Sequence, residues 1–147
     1  MKHIWTVLCQ NSSIDKETNL LSMFSCVEQL NIKIDRAKVK NIDKLGIPIN
    51  INIQLISYWL IENSNEDNVL RIKLELLDPE GKLINAFPRE INIKKGPLRF
   101  RNIINIKGIK IKKEGRYIFK MTHRGDNDKN FKTVAESPLD IKLLYTM

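Results

Sequence analysis

From Ile47 to Ile61 the odd positions are apolar (Ile47, Ile49, Ile51, Ile53, Leu55, Trp59 and Ile61), interrupted once at Ser57. A period of two is the spacing of a β-strand, whose successive side chains leave opposite faces; a helix would scatter these residues around its axis. The even positions begin polar at Asn50, Asn52 and Gln54, then turn apolar at Ile56, Tyr58 and Leu60. The strand therefore buries one face along its whole length and the other over its second half. A loop, a terminal segment or a second copy of the chain has to cover Ile56, Tyr58 and Leu60, which makes them the candidate interface.

The same grammar runs through the rest of the chain. Ile4–Gln10 is a first apolar run, and Leu20–Ile34 is a second with room for a bend near Gln29–Asn31. Asp35–Leu45 is the one stretch that reads as a helical turn, with Val39, Ile42 and Leu45 on one side. Val69–Leu77 alternates with Leu70, Ile72, Leu74 and Leu76 inward. A hairpin turn at Asn65 and Glu66 would pair Trp59 with Ile72 and Tyr58 with Lys73. Asp78-Pro79-Glu80-Gly81 has the residues of a tight turn. Strands are expected over Lys82–Phe87 and Glu90–Lys94, then over Leu98–Ile111 with a bulge at Gly108. Arg116–Thr122 follows, and Phe131–Leu144 closes the series with an interruption at Pro138. Seven to nine short strands and at most one short helix predict an all-β, antiparallel two-sheet sandwich, immunoglobulin-like or C2-like.

The 147 residues suit one domain, 1–147, and the 42% hydrophobic content supports a packed core. No apolar run approaches the roughly 18 residues of a membrane helix, so no membrane association is expected. The apolar run before Cys9 is too short for a leader peptide, and two cysteines make no disulfide framework. A reducing, bacterial-type cytoplasm is the expected location.

Charge is unevenly placed. Residues 94–120 hold ten of the 25 basic side chains (Lys94, Lys95, Arg99, Arg101, Lys107, Lys110, Lys112, Lys113, Arg116 and Lys120) against Glu114 alone. The remainder holds 15 basic and 16 acidic residues, so the whole +8 excess sits in this segment. If its strands are neighbours, they form a basic stripe that attracts an acidic protein or phosphates. The bland alternative is that lysine simply occupies the wet face of a strand and discourages edge-to-edge pairing. Phe100 and Tyr117 are the only candidates for rings interleaved with these cations and both look inward, so nucleic acid ranks below a protein partner.

The remaining motifs carry no chemistry. Asp126, Asp128 and Asn130 imitate the start of a calcium loop, but Phe131 stands where glycine is needed and Ser137 where the bidentate glutamate belongs. A polar hairpin turn is the simpler reading. His3 and His123 are far from each other and from both cysteines, which gives no zinc pattern. A hairpin about Glu17 and Thr18 would set Cys9 directly opposite Cys26. There is no nucleophile elbow, phosphate-cradling glycine loop or zincin motif. No catalytic, metal or cofactor residues are assigned, and no cofactor is expected.

The segments WTVLCQNSSIDKETNLLSMFSCVEQL, DPEGKLI and EGRYIFKM together resemble a family of uncharacterised bacterial β-sandwich proteins. Cys9, Asn19, Leu21, Ser22, Gly81, Gly115 and Tyr117 carry the resemblance, which implies a fold and offers no activity to transfer. Gly115 permits the turn into its strand, and Tyr117 buries its ring while its hydroxyl reaches backbone at a sandwich corner. Three functional readings follow. The first is a noncatalytic interaction or scaffold module, homodimeric or with an unknown protein partner. The second is an anion-binding module built on residues 94–120. The third is a hydrolase or metal-dependent enzyme whose site only the fold could assemble.

Overall fold

A computed structural model describes residues 1–39 and 46–146, with the side chains of Lys38 and Val39 excepted. Among the described residues nine strands follow the apolar runs: β1 (Lys2–Ile14), β2 (Leu21–Cys26), β3 (Gln29–Asp35), β4 (Ile47–Leu60) and β5 (Asn68–Leu77), then β6 (Leu83–Ile93), β7 (Arg99–Ile111), β8 (Gly115–Arg124) and β9 (Lys132–Thr146). A single helical turn, α1, spans Arg36–Val39. The rest of the segment read as helical, with Ile42 and Leu45, lies outside the described residues.

The strands form two sheets, a four-stranded one in the order β2-β1-β4-β7 and a five-stranded one in the order β3-β9-β8-β5-β6. One pair departs from the antiparallel expectation: β3 runs parallel to β9, from Gln29 beside Asp140 to Asp35 beside Thr146. The bend expected in Leu20–Ile34 is the cause. Val27 and Glu28 carry the chain from one sheet to the edge of the other, where Asp140 N–H donates to the Glu28 carbonyl at 3.0 Å.

Both inner faces are filled by the alternating residues. Ile49, Ile51, Ile53, Leu55 and Trp59 of β4 pack with Leu70, Ile72, Leu74 and Leu76 of β5 and with Tyr117, Phe119 and Met121 of β8. Each such side chain contributes on the order of 1.5–3 kcal/mol on leaving water. The Trp59–Ile72 and Tyr58–Lys73 pairs do not form. Trp59 pairs with His3 and Phe100, and Ile72 with Arg89 and His123, because β4 and β5 belong to opposite sheets. Alternation cannot tell a lateral neighbour from a facing one, since both point the same apolar set into the same core.

The turns expected at Asp78–Gly81 and at Gly115 are in place. Gly81 N–H donates to the Asp78 carbonyl at 2.9 Å. Tyr117, 1% exposed, donates its hydroxyl to the Lys113 carbonyl at 2.6 Å, which fixes the corner between β7 and β8. The two strands expected on either side of Pro88 are one, β6, which ends its sheet and so tolerates a residue without an N–H. Pro138 likewise interrupts nothing: β9 runs through it, and β3 joins only from Asp140 onward.

Candidate functional site

The outer face of the four-stranded sheet accounts for the two-sided half of β4. Ile56 is fully buried, as is Cys9, two residues along β1 from Val7, the partner of Ile56, yet neither belongs to the core between the sheets. They form a second apolar patch with Val7, Ile103, and Trp5 stacked on Tyr58 (5.5 Å between centroids, 27° between planes). The cover is the chain's own β1–β2 hairpin. Beyond Cys9 this hairpin leaves the sheet, and Ser12 Oγ donates to Gln54 Oε1 of β4 at 2.6 Å. Its tip reaches β7, where Arg101 Nη2 donates to the Asn19 carbonyl at 2.7 Å. Of the candidate interface, Ile56 therefore presents no surface, Tyr58 is half-buried and Leu60 is exposed.

The ten basic residues do not form one stripe, because β7 and β8 lie in different sheets. On β8, Arg116 holds Asp140 through two hydrogen bonds of 2.8 and 3.0 Å, which keeps that carboxyl below the usual carboxylate range. Lys120 sits in register between Glu75 and Glu136. Lys94 pairs with Asp67, Lys113 pairs with Glu80, and Arg101 anchors the hairpin. Lys95 and Arg99 stand exposed at the opening of β7. Glu114, the lone acid, accepts from Leu143 N–H and ties the corner to β9.

Three cations remain together. Along β7, Asn102, Ile104 and Ile106 point inward while Arg101, Asn105 and Lys107 turn out. At Gly108 (φ +100°) a bulge, in which Asn50 and Ile51 of β4 face this one residue, reverses the parity of β7, so Ile109 and Ile111 are buried and Lys110 and Lys112 again face water. Lys107, Lys110 and Lys112 have no ion-pair partner among the described residues.

These lysines border a seam between the end strands of the two sheets. Two clefts of about 470 and 380 Å³ run along it and share Ile84 of β6 and Lys110 of β7. Lys82 and the exposed Leu83 and Ile84 form the opposite wall, at 57% and 37% exposure for the two apolar residues. Two acids, Asp78 and Glu80, lie at its end. Asp78 is occupied by the N–H groups of Glu80 and Lys82, and Glu80 by Lys113. The seam is thus apolar at its base and basic at its rim. Lys82, Leu83 and Ile84 gave no functional signal in the sequence, because their meeting with β7 depends on how the sheets stack.

A larger cleft of about 730 Å³ opens between β3 and β4, lined from Leu30 to Asp35 and from Gly46 to Ile53. At the other end of the sandwich the two histidines converge on Trp59, with ring centroids 5.1 Å away for His3 and 4.9 Å for His123. Burial pushes both below the ordinary histidine value, and the N-terminal ammonium adds to the effect at His123. His3 Nε2 shares a 2.7 Å hydrogen bond with Thr6 Oγ1, and Trp59 Nε1 donates to Ser57 Oγ at 2.9 Å. In the Asp126–Asn130 loop, Asp126 pairs with Arg71 and Asp128 accepts from Gly125 N–H. Among the described residues no three His, Cys, Asp or Glu side chains gather as a metal site would need, and no helix is long and apolar enough to cross a membrane.

No family model matches the chain, and no curated protein matches it. Among solved structures it is similar to a family 123 glycoside hydrolase from Clostridium perfringens, at 14% identity and a TM-score of 0.41. That likeness covers 95% of this chain and 27% of the other, so the chain spans about a quarter of that protein's length.

Proposed function

We propose that the chain is a noncatalytic protein-interaction module that holds an extended, acidic segment of a partner protein along the seam between β6 and β7. The observation that carries this reading is the meeting of Lys107, Lys110 and Lys112 with exposed Leu83 and Ile84 on two strands that each end a sheet. An end strand has a row of backbone N–H and C=O groups without a strand partner, and an extended peptide adds to it through main-chain hydrogen bonds. The lysines decide which peptide. A second copy of this strand would set like charges together, whereas alternating carboxylates would be attracted and steered. Alternate apolar side chains of the same segment would then meet Leu83 and Ile84. Nucleic acid fits less well, because Tyr117, the one ring lining the seam among the described residues, is buried and cannot stack on a base.

The test is a titration of the full chain into a fluorescein-labelled peptide alternating glutamate and valine, followed by anisotropy. Binding at low ionic strength that weakens steeply with salt supports the reading, since exposed charges are screened over about 10 Å at 0.1 M. The triple variant Lys107→Glu, Lys110→Glu, Lys112→Glu abolishes that binding. No binding at low salt, unchanged binding by the triple variant, or tighter binding of a single-stranded oligonucleotide would each overturn it.

A further inference from the structure

We propose that Cys9 and Cys26 form a redox-labile disulfide site at the base of the β1–β2 hairpin, with Cys26 reacting first and Cys9 resolving it. The two residues face each other directly in register. Val27 N–H donates to the Leu8 carbonyl at 2.9 Å, so the neighbouring Leu8–Val27 pair is hydrogen-bonded. Successive pairs alternate in an antiparallel ladder, which makes Cys9–Cys26 a non-hydrogen-bonded pair with Cα atoms about 4.5 Å apart. That lies at the short end of the roughly 4.4–6.8 Å span a disulfide accepts, where the bond forms with strain and is reduced easily. Both sulfurs are free thiols in this structure.

Their environments divide the labour. Cys26 is exposed and meets an oxidant in solution, while Cys9 is fully buried. Burial and the neighbouring Cys26 both raise the Cys9 thiol above its ordinary value, so it is a poor first nucleophile. With a hydroperoxide as oxidant, the Cys26 thiolate attacks the O–O bond and takes one oxygen, and water or an alcohol leaves. The Cys9 sulfur then attacks the Cys26 sulfenic acid, the S–S bond forms and the S–O bond breaks. Water departs with the Cys9 proton. Two thiols lose two electrons and the peroxide gains them.

The bridge closes the hairpin where it leaves the sheet to cover Ile56. Oxidation thus pins the cover, and reduction frees it.

Treating the folded full chain with one equivalent of hydrogen peroxide, then digesting and analysing by mass spectrometry, tests this. The expected product is an intramolecular Cys9–Cys26 peptide pair that mild glutathione reopens. Cys9→Ala, unable to resolve, accumulates a dimedone-trapped sulfenic acid at Cys26, and the exposed Cys26→Ser variant, whose core is untouched, forms no internal bridge. Two thiols still titratable after oxidation, a bridge only between molecules, or dimedone labelling at Cys9 in Cys26→Ser equal to that at Cys26 in Cys9→Ala would overturn the proposal.

Discussion

The guanidinium of Arg101 on β7 donates a 2.7 Å hydrogen bond to the backbone carbonyl of Asn19, at the tip of the β1–β2 hairpin. In the sheet, β2 and β7 are opposite edges separated by β1 and β4. The contact therefore requires the hairpin to fold back across the outer face of β4. Removing it should loosen the hairpin without unfolding the sandwich. Arg101→Ala is expected to cost about 1 kcal/mol in chemical denaturation. It should speed amide exchange over Gln10–Met23 while exchange in β5 and β8 stays unchanged.

Leu55 and Ile56 are neighbours on β4, both without exposed surface, but they face opposite sides of the sheet. Leu55 lies in the core between the sheets, and Ile56 lies under the hairpin. Substituting either with alanine should cost about 2–5 kcal/mol, the range for a fully buried aliphatic side chain. A loss below about 0.5 kcal/mol for Ile56→Ala in urea titration would mean that the hairpin does not seal that face.

Gly115 combines a left-handed backbone (φ +143°) with a neighbour: a Cβ there would stand 2.8 Å from Pro79 Cγ. Gly96 has φ +124° and open space around it. Backbone strain alone costs on the order of 1–3 kcal/mol at such positions. Gly115→Ala should therefore lower the thermal midpoint clearly more than Gly96→Ala, the difference reporting the contact between the β5–β6 and β7–β8 turns.

His3 and His123 are held below the usual histidine value, so the fold favours their neutral forms. For a base with a lowered folded pKa, the stabilisation is present above the unfolded value of about 6.5 and is lost as pH falls through the folded value. Asp126 and Asp128 oppose the shift at His123, while the N-terminal ammonium and His3 reinforce it. Stability should decline from pH 7 to pH 5. The double variant His3→Gln, His123→Gln should flatten that slope, as read from urea midpoints at each pH.

Much of the sandwich was legible because burial writes itself into period two. The faces of β4 and β5, the bulge at Gly108, the Tyr117 corner and the opposition of Cys9 to Cys26 all follow from local parity or turn chemistry. Lateral partners do not: Trp59 and Ile72 satisfy the same parity whether they are neighbours in one sheet or face each other across two. The basic segment failed as a single surface for the same reason. The corner at Glu114 sends β7 and β8 into different sheets, so Arg116 and Lys120 find acids on β5 and β9 while Lys107, Lys110 and Lys112 are left on an edge. The approach of His3 to His123 and the meeting of Leu83 and Ile84 with β7 join residues distant in sequence, with no periodic pattern between them.

Chemical-shift mapping of the backbone amides during titration with the glutamate–valine peptide tests the interaction seam most directly. The account predicts shifts concentrated in Leu83–Phe87 of β6 and in Ile106–Lys112, at the end of β7 and just beyond it, fading as salt is added. Shifts centred on Arg116 and Lys120, on the outer face of the other sheet, would contradict it, as would saturating peptide that leaves both end strands unmoved.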